Sequence, residues 1–267
     1  MRAWPRVIAA PLIVATLLAA ACTDPAPSPQ RRAGDGLIVF GAASLRNALT
    51  RLEPEWESTH PNVPLTIATG SSAALRTQIE LGAPVDVFLA ADTANPRRLV
   101  EGGLAAGDPV AIGVTEIAIV ASPRIRGRIT EVADLAQPGL KVIAAAPGVP
   151  ISGYVEEMLR RPGLPPGFAA AYRANIVSHE DDAAAVLAKI ELGEGDAAIV
   201  YYTDAVASGK VHTISLPREL AVQATYAGVV VKSSGRVEDA RAFLDWLTGP
   251  VARPILEHMG FSRPGQG

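Results

Sequence analysis

Leu37-Ile38-Val39-Phe40-Gly41-Ala42-Ala43-Ser44-Leu45 and Leu65-Thr66-Ile67-Ala68-Thr69-Gly70-Ser71-Ser72-Ala73 decide the fold of this chain. In each, a short apolar run of strand character passes through small residues into a helical pattern, and a serine stands where the helix should begin. A helix N-terminus carries unpaired backbone N–H groups and a partial positive charge. A serine hydroxyl there adds one more donor. Two such ends facing each other can hold a small dianion without any charged side chain. Capping alone explains a single serine before a helix. The rest of the chain repeats the design, and that repetition points beyond capping.

Outward from these stretches, strands and helices alternate. Strands are expected at Leu37–Phe40, Val63–Ala68, Val85–Ala90, Lys141–Ala145, Ala197–Tyr201 and Val211–Ser215. Helices are expected at Leu45–Ser58, Ala73–Leu81, Pro96–Gly102, Gly153–Arg160, Asp182–Leu192, Val237–Leu247 and Pro250–His258, with a short helical turn at Val132–Ala136. This alternation is the mark of an α/β fold with largely parallel sheets. Two long β runs, Thr115–Ala121 and Val222–Val231, read as crossings between two lobes. The division expected is 37–116 with 225–267 as lobe 1 and 117–224 as lobe 2, with a ligand in the cleft between them.

The 267 residues suffice for a large core in two lobes. A net charge of −3 and the lack of a basic stripe argue against nucleic acid as a partner. Aromatic residues are only 5%, too few for a platform that stacks bases or sugars. Residues 1–21 read as a signal peptide: Arg2 and Arg6 precede an apolar stretch from Val7 to Ala21. Cys22, the single cysteine, follows a small-residue cleavage site and resembles the lipidated cysteine of bacterial lipoproteins. Ala19 stands three places before it, where a bulky aliphatic residue is usual. Residues 22–36, with Pro25, Pro27 and Pro29, then form a flexible tether from the anchor.

Other candidate chemistry has simpler explanations. Asp86 and Asp92, in and just after the buried strand Val85–Ala90, could pair as carboxylates, but they read more simply as a turn residue and a helix cap. His179-Glu180-Asp181-Asp182 has no second cluster at metal-ligand spacing, and Asp182 suits a cap for the helix that follows. None of the four histidines, His60, His179, His212 and His258, sits beside a nucleophile motif. No phosphate-loop motif is present. Tyr201 ends a buried strand, where its hydroxyl would emerge at the carboxyl edge of the sheet, the edge at which α/β clefts bind ligands.

Taken in order, Phe40-Gly41-Ala42-Ala43-Ser44-Leu45, Gly70-Ser71-Ser72 with Gly82 to Asp92, Val149-Pro150, and Gly195-Asp196-Ala197-Ala198-Ile199-Val200-Tyr201 with Thr203-Asp204-Ala205 resemble the substrate-binding proteins of molybdate ABC transporters, over Leu37 to Phe261. The resemblance implies a two-lobed periplasmic-binding-protein fold of type II and a tetrahedral oxyanion held by hydroxyls and backbone N–H groups. It places hydroxyl and backbone donors at Ser44 and Ser72, backbone donors at Ile151 and Ala183, and a hydroxyl at Tyr201; these are the implied ligands of molybdate. Ile151 and Ala183 depart from the side chains common at those places, which a backbone donor tolerates. The order Ser152-Gly153-Tyr154 is also unusual. The expected protein is not an enzyme and needs no cofactor. It is an extracytoplasmic, lipid-anchored monomer that binds molybdate or tungstate and delivers it to an ABC permease. The alternatives are a binder of another tetrahedral oxyanion such as sulfate, and an exported serine hydrolase using Ser44 or Ser72.

Overall fold

The computed structural model describes residues 36–125 and 127–265. The leader, Cys22 and most of the tether lie outside the described residues. Nine strands form one sheet in the order β2-β1-β3-β9-β4-β7-β5-β6, with β8 paired to β4. They are β1 (Leu37–Ala42), β2 (Leu65–Gly70), β3 (Val87–Ala90), β4 (Val110–Ala121), β5 (Val142–Ala145), β6 (Ile176–Glu180), β7 (Ala197–Tyr201), β8 (His212–Ser215) and β9 (Gln223–Val230). Among the described residues nine α-helices flank them: α1 (Arg46–Thr59), α2 (Ser72–Glu80), α3 (Ala94–Glu101), α4 (Pro150–Leu159), α5 (Phe168–Ala174), α6 (Ala183–Leu192), α7 (Tyr202–Ser208), α8 (Val237–Thr248) and α9 (Ala252–His258).

The two wings of the sheet are parallel: β1 pairs with β2 and β3, and β5 with β6 and β7. The centre is not. β9 runs antiparallel to β3 and β4, and β4 antiparallel to β7 and β8. The mostly parallel sheet expected from sequence therefore holds for the wings and is corrected at the centre. β4 is long enough to serve two partners in succession. Val110 to Glu116 face β9, and Ile117 to Ala121 face β7.

Burial follows the strand patterns. β3 and β7 are buried along their whole length, as continuous apolar strands covered on both faces must be. Trp56 of α1 is fully buried; its Nε1 donates to the Val63 carbonyl at 2.8 Å and its ring meets Phe243 edge-on at 5.1 Å. Asp86, expected to fix a turn, is instead completely buried, and its Oδ2 accepts from the Ile38 N–H (2.7 Å) while Oδ1 accepts from Ser234 Oγ (2.6 Å). It ties the start of β1 to the segment after β9. Gly41, within β1, lies close under α1: a Cβ there would come within 2.5 Å of Leu49 Cδ1.

Candidate functional site

Each strand-to-helix turn delivers its helix start to one place. Ser44 lies in a 3-10 turn, Ala43–Leu45, between β1 and α1. Ser72 is the first residue of α2, one place after its N-cap Ser71. Ala183 is the first residue of α6, after its N-cap Asp182. Pro150 opens α4, the position at which proline suits a helix best. Since Pro150 has no N–H, Ile151 offers the first amide of that helix. Ser44, Ser72, Ala91, Val149, Pro150, Ala183 and Tyr201 all border one cavity. It is small: about 10 Å³ is open to the centre of a water-sized sphere, against about 600 Å³ in the cavity beside α4. That is about the room of one water molecule, far too little for a sugar or an amino acid.

Four of the five expected site residues therefore meet at one cavity. Ile151 differs. It is buried and borders instead the larger cavity bounded also by Tyr172 and His179. The small cavity is walled on this side by Val149 and Pro150, and Ile151 is not among the residues that border it.

Both serine oxygens already accept a hydrogen bond from the protein. Ser72 is 2% exposed, and its Oγ accepts from the Ala91 N–H at 3.1 Å. Ser44 is 7% exposed, and its Oγ accepts from Tyr226 Oη at 2.8 Å. An oxygen that already accepts from the protein keeps its own O–H for a ligand. Neither serine side chain makes a capping hydrogen bond; the N-caps are Ala42 and Ser71. Tyr201 is 1% exposed, and its Oη has no hydrogen-bond partner among the described residues. Burial, with Tyr226 and Tyr154 alongside, pushes its phenol well above 10, so it stays a donor. A buried hydroxyl without a partner is unusual and asks for one.

No lysine, arginine or histidine borders the cavity among the described residues. Asp182 is its one carboxylate, and Asp182 Oδ1 accepts from the Ala185 N–H at 2.8 Å, the cap expected of it. Asp204, nearby on α7, is buried with Oδ2 unpartnered; burial, then the charge of Asp182, pushes its carboxyl up to about 8. Asp92 caps from upstream of α3, accepting from the Asn95 N–H at 2.9 Å. His60 stacks on Trp56, and the partners of the two serines are Tyr226 and Ala91 rather than a base. Glu180 pairs with Lys189 at 2.8 Å.

Sequence reasoning missed Tyr226 and Ala91, the residues that fix the serines. Tyr226 sits inside a long β run with no local mark, and its role needs a partner 182 positions away. The Gly82-to-Asp92 stretch did hold a signal for Ala91, since it places small residues at the end of a buried strand.

The sequence pattern of bacterial extracellular solute-binding proteins matches residues 37–262. The chain belongs to that family. This solute-binding protein is 33% identical over 256 residues to the molybdate-binding protein ModA of Mycobacterium tuberculosis, across 95% of each chain. The resemblance to molybdate-transporter binding proteins is thereby borne out. Its fold matches the Azotobacter vinelandii periplasmic molybdate-binding protein, with a TM-score of 0.74 at 24% identity, over 85% of this chain and 99% of the other. The sulfate-binding protein SubI of Mycobacterium tuberculosis matches with a TM-score of 0.75 at 18% identity, over 87% and 88%. At those identities both are likenesses of fold. The α/β binding-protein fold read from sequence stands. Among the described residues of this solute-binding protein, no helix is long and apolar enough to cross a membrane.

Proposed function

We propose that this chain binds molybdate or tungstate outside the cytoplasm and delivers it to an ABC permease. The observation that carries the reading is the Tyr201 hydroxyl, buried and unpartnered on a cavity bordered by serine hydroxyls and helix N-termini. Molybdate is fully deprotonated at neutral pH and only accepts hydrogen bonds. Ser44, Ser72 and Tyr201 offer it O–H groups, and Ile151 and Ala183 offer N–H groups. Neutral donors avoid burying a full positive charge beside the ion. Phosphate keeps a proton near pH 7 and needs an acceptor, which Asp182 supplies poorly while it caps α6. The similarity to ModA supports molybdate over sulfate. A base beside Ser44 or Ser72, which a hydrolase requires, is not among their partners.

The two halves, 37–116 with 225–267 and 117–224, close on the ion as lobes, and the closed form is what the permease takes. Cys22 carries the lipid that anchors the monomer, and 22–36 is the tether. Calorimetric titration with molybdate, tungstate, sulfate and phosphate tests the reading. Charge-assisted bonds of about 1.5–3 kcal/mol each bring molybdate and tungstate below micromolar, about −8 kcal/mol or better. Heat from sulfate or phosphate with none from molybdate overturns it.

A further inference from the structure

Tyr154 lies on α4, the helix whose start forms one wall of the cavity, yet its Oη donates to the Ala91 carbonyl at 3.2 Å on the opposite wall. Ala91 follows β3 and is the residue whose N–H holds Ser72 Oγ. The Tyr154 ring also packs edge-on against Tyr201, at 6.3 Å and 74°. Tyr201 in turn meets Tyr226 at 5.3 Å, and Tyr226 donates to Ser44. The three phenols thus run from α4 past the ligand hydroxyl to both serines. β5, which leads into α4, belongs to one wing of the sheet, and β3, which leads into Ala91, to the other.

We propose that Tyr154 is an interlobe latch: its hydroxyl bridges the two walls in the closed form and slows release of the oxyanion. The hydroxyl sits where closure brings α4 against the end of β3, and opening must break its bond to Ala91. Its hydroxyl bonds to no expected ligand donor, so Tyr154 acts through Ala91 and through its ring contact with Tyr201 as a positioning residue. Tyr154→Phe keeps the ring against Tyr201 and removes the hydroxyl, with its bond to Ala91 and its contact to the Thr225 backbone.

The latch rests on the molybdate reading, and two measurements separate them. In stopped-flow release of molybdate, Tyr154→Phe is expected to raise the off-rate by about three- to tenfold, the worth of one neutral hydrogen bond, with the on-rate nearly unchanged. Independently, spin labels at Leu81→Cys and Val177→Cys, both exposed and in opposite wings, in a Cys22→Ser background, report the distance between lobes. Ligand-free Tyr154→Phe is expected to populate longer distances than the protein that keeps Tyr154. A tyrosine that only packs lowers the melting temperature and leaves the distances alone. Coincident distance distributions, with and without molybdate, refute the latch. If molybdate does not bind the protein with Tyr154, the ligand reading falls and the ligand-free distances still decide the latch.

Discussion

Tyr201→Phe separates a ligand-binding hydroxyl from a packing ring because its two effects have opposite signs. The residue is 1% exposed, its ring is held by Tyr154 and Tyr226, and its Oη has no partner among the described residues. Phenylalanine preserves both ring contacts. Without ligand, the substitution removes a buried unsatisfied group, which costs about 1–3 kcal/mol where it stands. The ligand-free variant is therefore at least as stable as the parent. Each kcal/mol gained raises the midpoint by about 2–4 °C for a domain of this size. With molybdate, the same change removes one charge-assisted bond. That is about 1.5–3 kcal/mol, or roughly 10- to 150-fold in affinity. Scanning calorimetry in oxyanion-free buffer and titration with molybdate measure the two effects on the same preparation. A fall in midpoint with unchanged affinity shows that Tyr201 merely packs and refutes the reasoning.

Ser72→Ala removes the acceptor of the Ala91 N–H as well as a ligand donor, so it should lower both stability and molybdate affinity, each by about 1–3 kcal/mol; loss of stability alone would place Ser72 outside the ligand shell. Asp204 is the group whose burial matters most for pH. With its folded carboxyl at about 8 and an unfolded value near about 3.9, the folded state holds a proton that the unfolded chain has released between those limits. Stability from this group therefore falls as pH rises through that window and levels off above it. Asp204→Asn should flatten the decline measured by urea unfolding between pH 5 and pH 8, and an equally steep decline in the variant would contradict this. Cys22→Ser should move the protein from membranes to the soluble fraction with molybdate affinity intact; retention after a salt wash would sink the anchor.

Much of the fold could be read because its strands announce themselves. β7 was bounded correctly as Ala197–Tyr201, a continuous apolar run bracketed by Asp196 and the polar start of α7. The elements that escaped are those whose pattern is weak. β6 carries Ser178, His179 and Glu180 on an edge strand that is only half-buried, so it reads as loop. α5 is seven residues, mostly alanine, behind Pro165-Pro166-Gly167. α7 is a seven-residue helix that follows β7 directly with no side-chain cap hydrogen bond, so the polar run after Tyr201 reads as loop. α4 begins at Pro150, three residues before the expected Gly153, because proline at the first helical position starts a helix rather than delaying it. At the site, residues at strand ends and helix starts were legible from local grammar. Tyr226 and Tyr154 were not, since their roles exist only once distant strands and helices meet.

The most direct test of the central claim is a crystal structure with tungstate or molybdate bound, located by the anomalous signal of the metal. The account predicts one peak in the small cavity. Its oxygens should lie at hydrogen-bond distance, about 2.7–3.2 Å, from Ser44 Oγ, Ser72 Oγ, Tyr201 Oη and the N–H groups of Ile151 and Ala183. A peak in the larger cavity behind Ile151, or an ion held by lysine or arginine side chains, would contradict it.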